Sequence, residues 1–379
     1  MKYDVAVMGL GGMGSAILAH CAARGASAIG VEQYQPAHDL GSSHGKTRMI
    51  RKAYFEDQAY VPLLCRADEL WRELEHAAGA RILTKTGVLT VGEAGSEIIT
   101  GTRRASAEHD LPLQSFSPEE VGQRYPAVRM LPEEVALLEE DAGVLDPEGA
   151  ITAHLKIARS HGAEMRFDLA MQSWEATDGG VDLLLADGER VTARTLVLAL
   201  GPWFKRTMEA LGVPIRIQRN VQAWFAPGTS AWTAPGSPAF LIDRRGLPAP
   251  LYGFPDFGDG IKCAFHGGGT FTEVDELDRV VNTACDVEPL IHAMETCMPG
   301  VLQTLRHASV CIYTMSPDEH FVVDRDPRHE NVILCGGFSG HGFKFASVIG
   351  EIAAQLALEG GTQHAIDFLS LRRFRNGEH

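Results

Sequence analysis

The 379-residue chain has no apolar run approaching the roughly 18 residues needed to cross a bilayer, which argues against a membrane span. It also lacks a basic surplus. The 34 Lys+Arg stand against 49 Asp+Glu, a formal charge of −15, which disfavours a nucleic-acid partner. That balance still permits a locally basic pocket for an anionic small molecule. The seven cysteines, Cys21, Cys65, Cys263, Cys285, Cys297, Cys311 and Cys335, are odd in number and include no C-x-x-C pair. They fit neither a disulfide framework nor a zinc site, so no metal is expected and a reducing, cytoplasmic compartment is. There are no repeats and no low-complexity tract. With 45% apolar and 22% charged residues the chain is neither disordered nor fibrous. At roughly 100–200 residues per domain, its length predicts two or three domains. The run VAVMGLGGMGSAILAHCAA near the N-terminus imitates a signal peptide, but Asp4 and the glycines within the run oppose that reading.

Several segments carry regular periodicity. Residues 3–8 read as a short apolar strand, 14–24 as a helix and 28–31 as a second strand ending at Glu32. This β-turn-α-β unit is the building block of parallel sheets with right-handed crossovers. Residues 60–79 read as a long helix, 87–91 as a strand, and 148–161 as an amphipathic helix started by Asp146-Pro147. Strands are expected at 181–186 and 195–200, separated by Asp187-Gly188. Residues 226–270, rich in Pro, Gly and aromatics, suggest twisted antiparallel strands. A buried strand at 332–335 runs into GGFSGHG and a last helix, 343–358. The βα-type pieces sit at the start, middle and end of the chain, with β-rich pieces between them. The expected class is α/β, a Rossmann-like nucleotide-binding domain (1–82, 143–215 and 322–379) interleaved with a β-rich α+β substrate domain (83–142 and 216–321).

The chemistry begins at Gly9-x-Gly11-x-x-Gly14, after a strand and before a helix. The first glycine permits a tight turn, the second lets a pyrophosphate approach the backbone, and the third lets helix and strand pack closely. Free N–H groups at the helix start attract phosphate. Glu32, 18 residues after Gly14, can accept hydrogen bonds from a ribose diol and would repel a 2′-phosphate. Strand, helix, second strand and acid together predict dinucleotide binding; they do not separate NAD from FAD. A nicotinamide-dependent dehydrogenase would share all of these features.

After Glu32 the chain continues QYQPAHDLGSSHGKTRMIRKAYFEDQAYVPL, YGFP follows at 252–255, and CGGFSGHGFKFASVIGEIAAQLA lies near the end. With these motifs the sequence resembles, essentially end to end, the monomeric sarcosine oxidase and N-methyltryptophan oxidase family, flavoproteins that oxidise secondary amino acids. The resemblance implies FAD, tethered through a cysteine thioether to the flavin 8α-methyl. Ser309-Val-Cys311-Ile-Tyr313-Thr matches the attachment stretch, so Cys311 is the implied ligand. It further implies cofactor contacts from Gly9, Gly11, Gly12, Met13, Gly14 and Glu32, and from Ser42, His44, Thr47, Arg48 and Gly201. The terminal motif adds Gly337, Gly340, Gly342, Phe343 and Lys344.

The family has a lysine on the flavin face, implicated in oxygen activation, and Lys262 matches it. A fixed cation there would stabilise the negative charge that develops as O₂ is reduced. An arginine and a lysine hold the substrate carboxylate in the family; Arg51 and Lys344 match them, and a guanidinium fork suits two carboxylate oxygens. His44 and Arg48 resemble residues near the flavin ring that tune its charge. Tyr252, His266 and Tyr313 resemble residues lining the amine pocket.

The sequence departs from the family pattern at Ser43 (often histidine), Lys46 and Lys52 (often acidic or histidine), Phe55 (often glycine) and Phe265 (tyrosine or lysine). The entrance is therefore expected to differ in shape and charge. The implied reaction is oxidation of a secondary (N-methyl) α-amino acid such as sarcosine to an imine, which hydrolyses to an aldehyde and a primary amino acid, with O₂ reduced to H₂O₂. N-methyl-L-tryptophan, a cyclic imino acid, or an FAD dehydrogenase using another acceptor are the alternatives. The implied partners are the amine substrate and O₂, and the family is usually monomeric.

Overall fold

A computed structural model describes residues 2–230 and 232–374; residues 1, 231 and 375–379, the last five within the expected nucleotide-binding domain, lie outside it. An eight-stranded sheet forms around the N-terminal strand Lys2–Met8. That strand pairs in parallel with Ala28–Val31 on one side and Arg190–Leu198 on the other. Glu164–Arg166 and His329–Gly336 extend the parallel run outward. The central segments are apolar on both faces, as strands covered on both sides require. Helices Gly12–Ala23, Val61–Ala78, Pro147–Ser160 and Ala346–Glu359 pack together over one face.

The boundaries sit close to the expected ones, with physical reasons for the shifts. The first helix starts at Gly12 rather than 14, because the glycine loop itself turns into the first helical residues. The last helix starts at Ala346, after a 3₁₀ turn, Phe343–Phe345, that carries Lys344. The strand expected at 195–200 runs from Arg190 to Leu198, and the glycine turn after it is a 3₁₀ turn, Gly201–Phe204. Among the described residues four further helices, Glu97–Glu108, Pro118–Arg124, Lys205–Glu209 and Glu288–Cys297, lie in segments the periodicity left unassigned.

A second sheet has nine strands and is mostly antiparallel. Its spine is the pair Arg216–Pro227 and Leu302–Met315, in register from Arg216↔Met315 through Asn220↔Cys311 to Trp224↔His307. Ile261–Phe265 pairs with the first of these and with Leu251–Phe254. Alternate residues of a strand face opposite ways. Phe225, Ile261 and Cys263 therefore join the apolar core of this layer. Trp224, Lys262, Tyr252, Phe254, Cys311 and Tyr313 take the other face. A three-stranded sheet (Arg48–Ile50, Gly143–Leu145, Leu83–Thr84) stands beside these layers and carries Arg48. Among the described residues no helix is long and apolar enough to cross a membrane.

Candidate functional site

A cavity of about 700 Å³ runs from the glycine loop to the open face of the second sheet. At its first end the backbone does what the glycine spacing predicts. Gly9 has φ +85°, and a Cβ on Gly14 would lie 1.7 Å from the Gly9 carbonyl oxygen, so the helix can sit on the turn only with glycine there. Gly9, Gly11, Gly12 and Met13 line the cavity, while Gly14 packs behind it. The Gly12 N–H donates to Ser43 Oγ at 3.2 Å, tying the loop to the following crossover segment. Glu32 is buried, and its Oε2 accepts from the Leu10 N–H at 2.7 Å, which aims the carboxylate along the cavity wall.

Midway, Ser42, Arg48, Gly201, Cys311, Gly337, Gly340, Gly342 and Phe343 line the cavity. Gly340 has φ +81°, and a Cβ there would strike the Tyr313 ring at 2.4 Å; the glycine lets that ring lie against the backbone. Arg48 donates to the carbonyls of Thr47 (2.8 Å) and Ser42 (2.9 Å), with the Cys311 Sγ 4.0 Å away. His44 and Thr47 sit behind the wall. Burial, with the positive charges of Arg48 and Lys262, lowers the His44 pKa to about 3, so the ring is neutral.

Lys262 is buried and lies behind the wall, outside the cavity-lining set. Its Nζ donates to the carbonyls of Gly45 (2.7 Å) and Thr47 (3.1 Å). Its cross-strand neighbours Trp224 and Phe254 each place a ring centroid 5.1 Å from Nζ. Burial, then the charge of Arg48, lowers its pKa well below the lysine range. The lysine expected from the sequence as a fixed cation thus has two carbonyl acceptors for its ammonium, while burial and Arg48 oppose its charge.

The far end holds Arg51, Lys344, Tyr252, His266 and Tyr313, together with two residues missed in the sequence, Glu56 and His341. Arg51 Nη2 donates to both Glu56 oxygens at 2.8 Å, and Nη1 to the Ala53 carbonyl at 3.1 Å. The Arg51 guanidinium and Lys344 Nζ both approach the ring of Tyr54, at 4.7 and 4.9 Å. Lys344 Nζ donates to the His341 carbonyl at 2.8 Å. His341 Nε2 meets the Glu319 carbonyl at 3.1 Å, so Nε2 carries the proton and Nδ1 accepts from the Tyr54 hydroxyl at 2.5 Å. The His266 ring lies 6.3 Å from Tyr252 and 6.0 Å from Tyr313.

The charges there are set by mutual proximity. Burial raises the Glu56 pKa, but Arg51 and Lys344 outweigh it and bring it down to about 2. Burial lowers Lys344 to about 7, opposed by Glu56 and aided by Arg51. Burial likewise brings His266 to about 4 and His341 to about 3. The Tyr252 phenol is raised to about 12 by burial. Arg51 is thus already matched by a carboxylate and the histidines are neutral, so the end of the cavity is no cluster of cations. Glu56 left little trace in the sequence: an acid five residues after Arg51, in a loop with no periodicity.

A glycine turn at a helix start, a buried acid ending the neighbouring strand and a polar far end on one cavity are the arrangement a dinucleotide-binding enzyme needs. The donor set suits FAD: the Ser42 hydroxyl, at the cavity wall, is buried with no partner among the described residues, and a Cβ on Gly11 would meet only Ser43 Oγ, at 3.9 Å. The family described as FAD dependent oxidoreductase (DAO) matches residues 4–356. Monomeric sarcosine oxidase of Streptomyces avermitilis is 40% identical over 378 residues, covering 98% of this chain and 97% of that protein. N-methyl-L-tryptophan oxidase of Salmonella dublin is 33% identical over 376 residues, covering 99% of both. The solved structure of L-proline dehydrogenase from P. horikoshii superposes with a TM-score of 0.85 at 21% identity, covering 100% of this chain and 99% of that one, a likeness of fold. The chain belongs to the FAD-dependent oxidoreductase family, in the branch of the monomeric sarcosine and N-methyltryptophan oxidases, and is an FAD-dependent oxidoreductase.

Proposed function

We propose that this enzyme oxidises the secondary amine of a small α-amino acid, N-methyl amino acids such as sarcosine foremost, with O₂ as electron acceptor. The observation that carries this is the convergence of Arg51 and Lys344 on one ring, Tyr54, at the end of the cavity opposite the glycine loop. Two such groups can hold a carboxylate at a fixed place. The similarity to sarcosine oxidase at 40% identity supports the substrate class.

Gly9, Gly11, Gly12, Met13 and Glu32 would hold the pyrophosphate and ribose of FAD, with Gly14 supporting the turn. Ser42, Thr47, Arg48, Gly201, Gly337, Gly340, Gly342 and Phe343 would frame the rest of the cofactor. Cys311, whose Sγ faces the cavity beside Arg48, would anchor the flavin as a thioether. Bound there, FAD supplies the two-electron acceptor for the substrate C–H and, once reduced, the donor to O₂.

The chain's own residues do the positioning. Lys344 and Arg51 hold the substrate carboxylate, Arg51 sharing its fork with Glu56. Tyr252, Tyr313 and His266 wall the amine, which must be neutral to react. His266, neutral at physiological pH, can offer a ring nitrogen as hydrogen-bond acceptor to the amine N–H. His44 and Arg48 would tune the charge around the ring. Lys262, with two carbonyl acceptors and a suppressed pKa, can gain a proton when negative charge develops beside it, which suits O₂ reduction. The imine leaves and hydrolyses to an aldehyde and a primary amino acid, with H₂O₂ as the second product.

We also assign residues 1–82, 143–215 and 322–379 to an FAD-binding domain and 83–142 and 216–321 to a substrate domain. The separation of the parallel sheet from the nine-stranded one supports the division. A monomer in the cytoplasm belongs to the same proposal, and the free cysteines suit a reducing compartment.

An anaerobic screen of flavin bleaching with sarcosine, N-methyltryptophan, N-methylalanine, proline and pipecolate tests the reading. Sarcosine or N-methylalanine should bleach first, and peroxide should appear in air. Bleaching without peroxide would point to another acceptor; absence of bleaching by every amine would refute the activity.

A further inference from the structure

We propose that His38 is a positioning residue for the cofactor: it fixes the Glu32 carboxylate toward the ribose and so sets selectivity for the adenosine half of FAD. The inference rests on the reading of Glu32 as the ribose acceptor. Four observations on this short loop converge.

The His38 Nε2 faces Glu32 Oε1 at 3.5 Å, and both residues line the cavity. On the other side of the ring, Nδ1 accepts from the Leu40 N–H at 3.1 Å. A nitrogen that accepts from an amide carries no proton itself. The single proton of the neutral imidazole is therefore on Nε2, aimed at the carboxylate. The backbone is bent to reach this arrangement, for Ala37 has φ +56°, a left-handed conformation costly for a residue with a Cβ. Clearance is also built in. A Cβ on Gly41 would stand 3.2 Å from His38 Cε1, and the ring packs edge-on against Tyr34, centroids 4.8 Å apart.

These contacts determine how Glu32 presents itself. Its Oε2 takes the Leu10 N–H, and Oε1 takes the Tyr34 N–H at 3.1 Å. Both backbone donors come from the chain segments flanking the carboxylate. His38 adds a longer side-chain contact, Nε2 to Oε1 at 3.5 Å, and it approaches from within the cavity wall. Two backbone hydrogen bonds and the 3.5 Å contact from His38 restrain the carboxylate at the cavity wall, and the His38 contact is the one made by a side chain. A carboxylate in that place accepts from hydroxyls and repels a phosphate. Loss of the Nε2 donor would leave Oε1 with the Tyr34 amide alone and free the carboxylate to turn.

The test uses the full-length chain carrying Cys311→Ala, so that flavin binding is reversible. FAD and FMN are titrated into the flavin-stripped protein and followed by quenching of flavin fluorescence. FMN lacks the adenosine half and reports on the rest of the site. His38→Ala should weaken FAD binding about 3- to 10-fold, the scale of one lost polar contact to a carboxylate, and leave FMN unchanged. His38→Gln, whose amide can still donate to Glu32, should recover most of the affinity. His38→Asn can keep the bond from the Leu40 N–H but cannot reach Glu32, and should bind FAD as weakly as His38→Ala. Adding His38→Ala to Glu32→Ala should cost nothing further.

Full affinity in His38→Asn would mean that the ring only caps its loop, and would overturn the proposal. So would no effect of His38→Ala, a parallel loss of FMN, or no recovery in His38→Gln, given a weakened Glu32→Ala. If Glu32→Ala itself binds FAD normally, the ribose reading of Glu32 fails, and the role of His38 fails with it.

Discussion

Arg51 Nη2 donates to both carboxylate oxygens of Glu56 at 2.8 Å, so the guanidinium read as the substrate's anchor already holds an anion from its own chain. The pair is mostly buried, with side-chain exposures of 6% and 17%, so solvent screens it little. A substrate carboxylate must share or displace Glu56. Glu56→Gln should therefore tighten binding of a simple carboxylate inhibitor by about 3- to 10-fold, roughly 1 kcal/mol. The same change weakens a buried ion pair and should lower folding stability by about 1–3 kcal/mol. Flavin-perturbation titrations and thermal melts measure the two effects; weaker inhibitor binding would show that Glu56 orients Arg51 rather than competing for it.

Lys344 brings a pH dependence to the same subsite. Burial lowers its pKa to about 7, and an anion binds only the protonated form. The charge is present below that value and lost above it. Affinity for a carboxylate inhibitor lacking an amine should fall about tenfold between about pH 6 and about pH 8. Lys344→Arg keeps its charge throughout and should flatten the profile, whereas Lys344→Met should bind weakly at every pH. A profile that is unchanged in Lys344→Arg would assign the titration elsewhere. His266 and His341, at about 4 and about 3, lie too low to produce it.

What could be read from the sequence follows the range over which each feature acts. The glycine loop is a local object: Gly9 and Gly14 meet across five residues, and the clash that excludes a side chain is between them. The parallel sheet follows from short apolar runs that need covering on both faces. Lys262 and Cys311 are different. No local rule separates them from ordinary core residues, and only the family resemblance marked them. Their placement depends on the register of three strands, which puts Trp224 opposite both Lys262 and His307. Glu56 and His38 escaped because each matters only through a partner. Glu56 gains meaning from Lys344, nearly three hundred residues on, and His38 from the tautomer that the Leu40 amide imposes. The helix starting at Glu97 was overlooked for a simpler reason: it is only 12 residues long and carries Gly101 near its middle, a residue that reads as a break.

The thioether can be tested without turnover. Cys311 is buried at 6% exposure and lies on the strand face turned toward the cavity. Acid precipitation of the wild type should leave yellow colour in the pellet, and peptide mass spectrometry should find flavin on the Cys311 peptide. Cys311→Ser should fold, since the change is small, and release all colour to the supernatant. Colour that stays with the Cys311→Ser pellet would move the attachment to another residue, and a colourless wild-type pellet would exclude a tether.

Lys262 offers the sharpest division of labour, because its surroundings make opposite demands. Two carbonyls supply the acceptors an ammonium needs, while burial and Arg48 disfavour its charge. Such a group responds most strongly when negative charge appears nearby, which in the proposed reaction happens on reduction of O₂ and not on binding of substrate. Lys262→Met, similar in length, should slow reoxidation by O₂ about 10²–10³-fold, the scale of losing one charge-stabilising donor. Anaerobic reduction by substrate should change far less. The variant also removes Nζ from the Gly45 and Thr47 carbonyls, but these keep the Thr47 N–H and Arg48 as donors, so its melting temperature should fall only slightly. Lys262→Arg keeps a cation but cannot fit between the Trp224 and Phe254 rings without displacing one, and should restore reoxidation only in part. Stopped-flow measurement of the two half-reactions decides the matter: equal slowing of both would make Lys262 a structural support of the 45–47 turn rather than the group that meets oxygen.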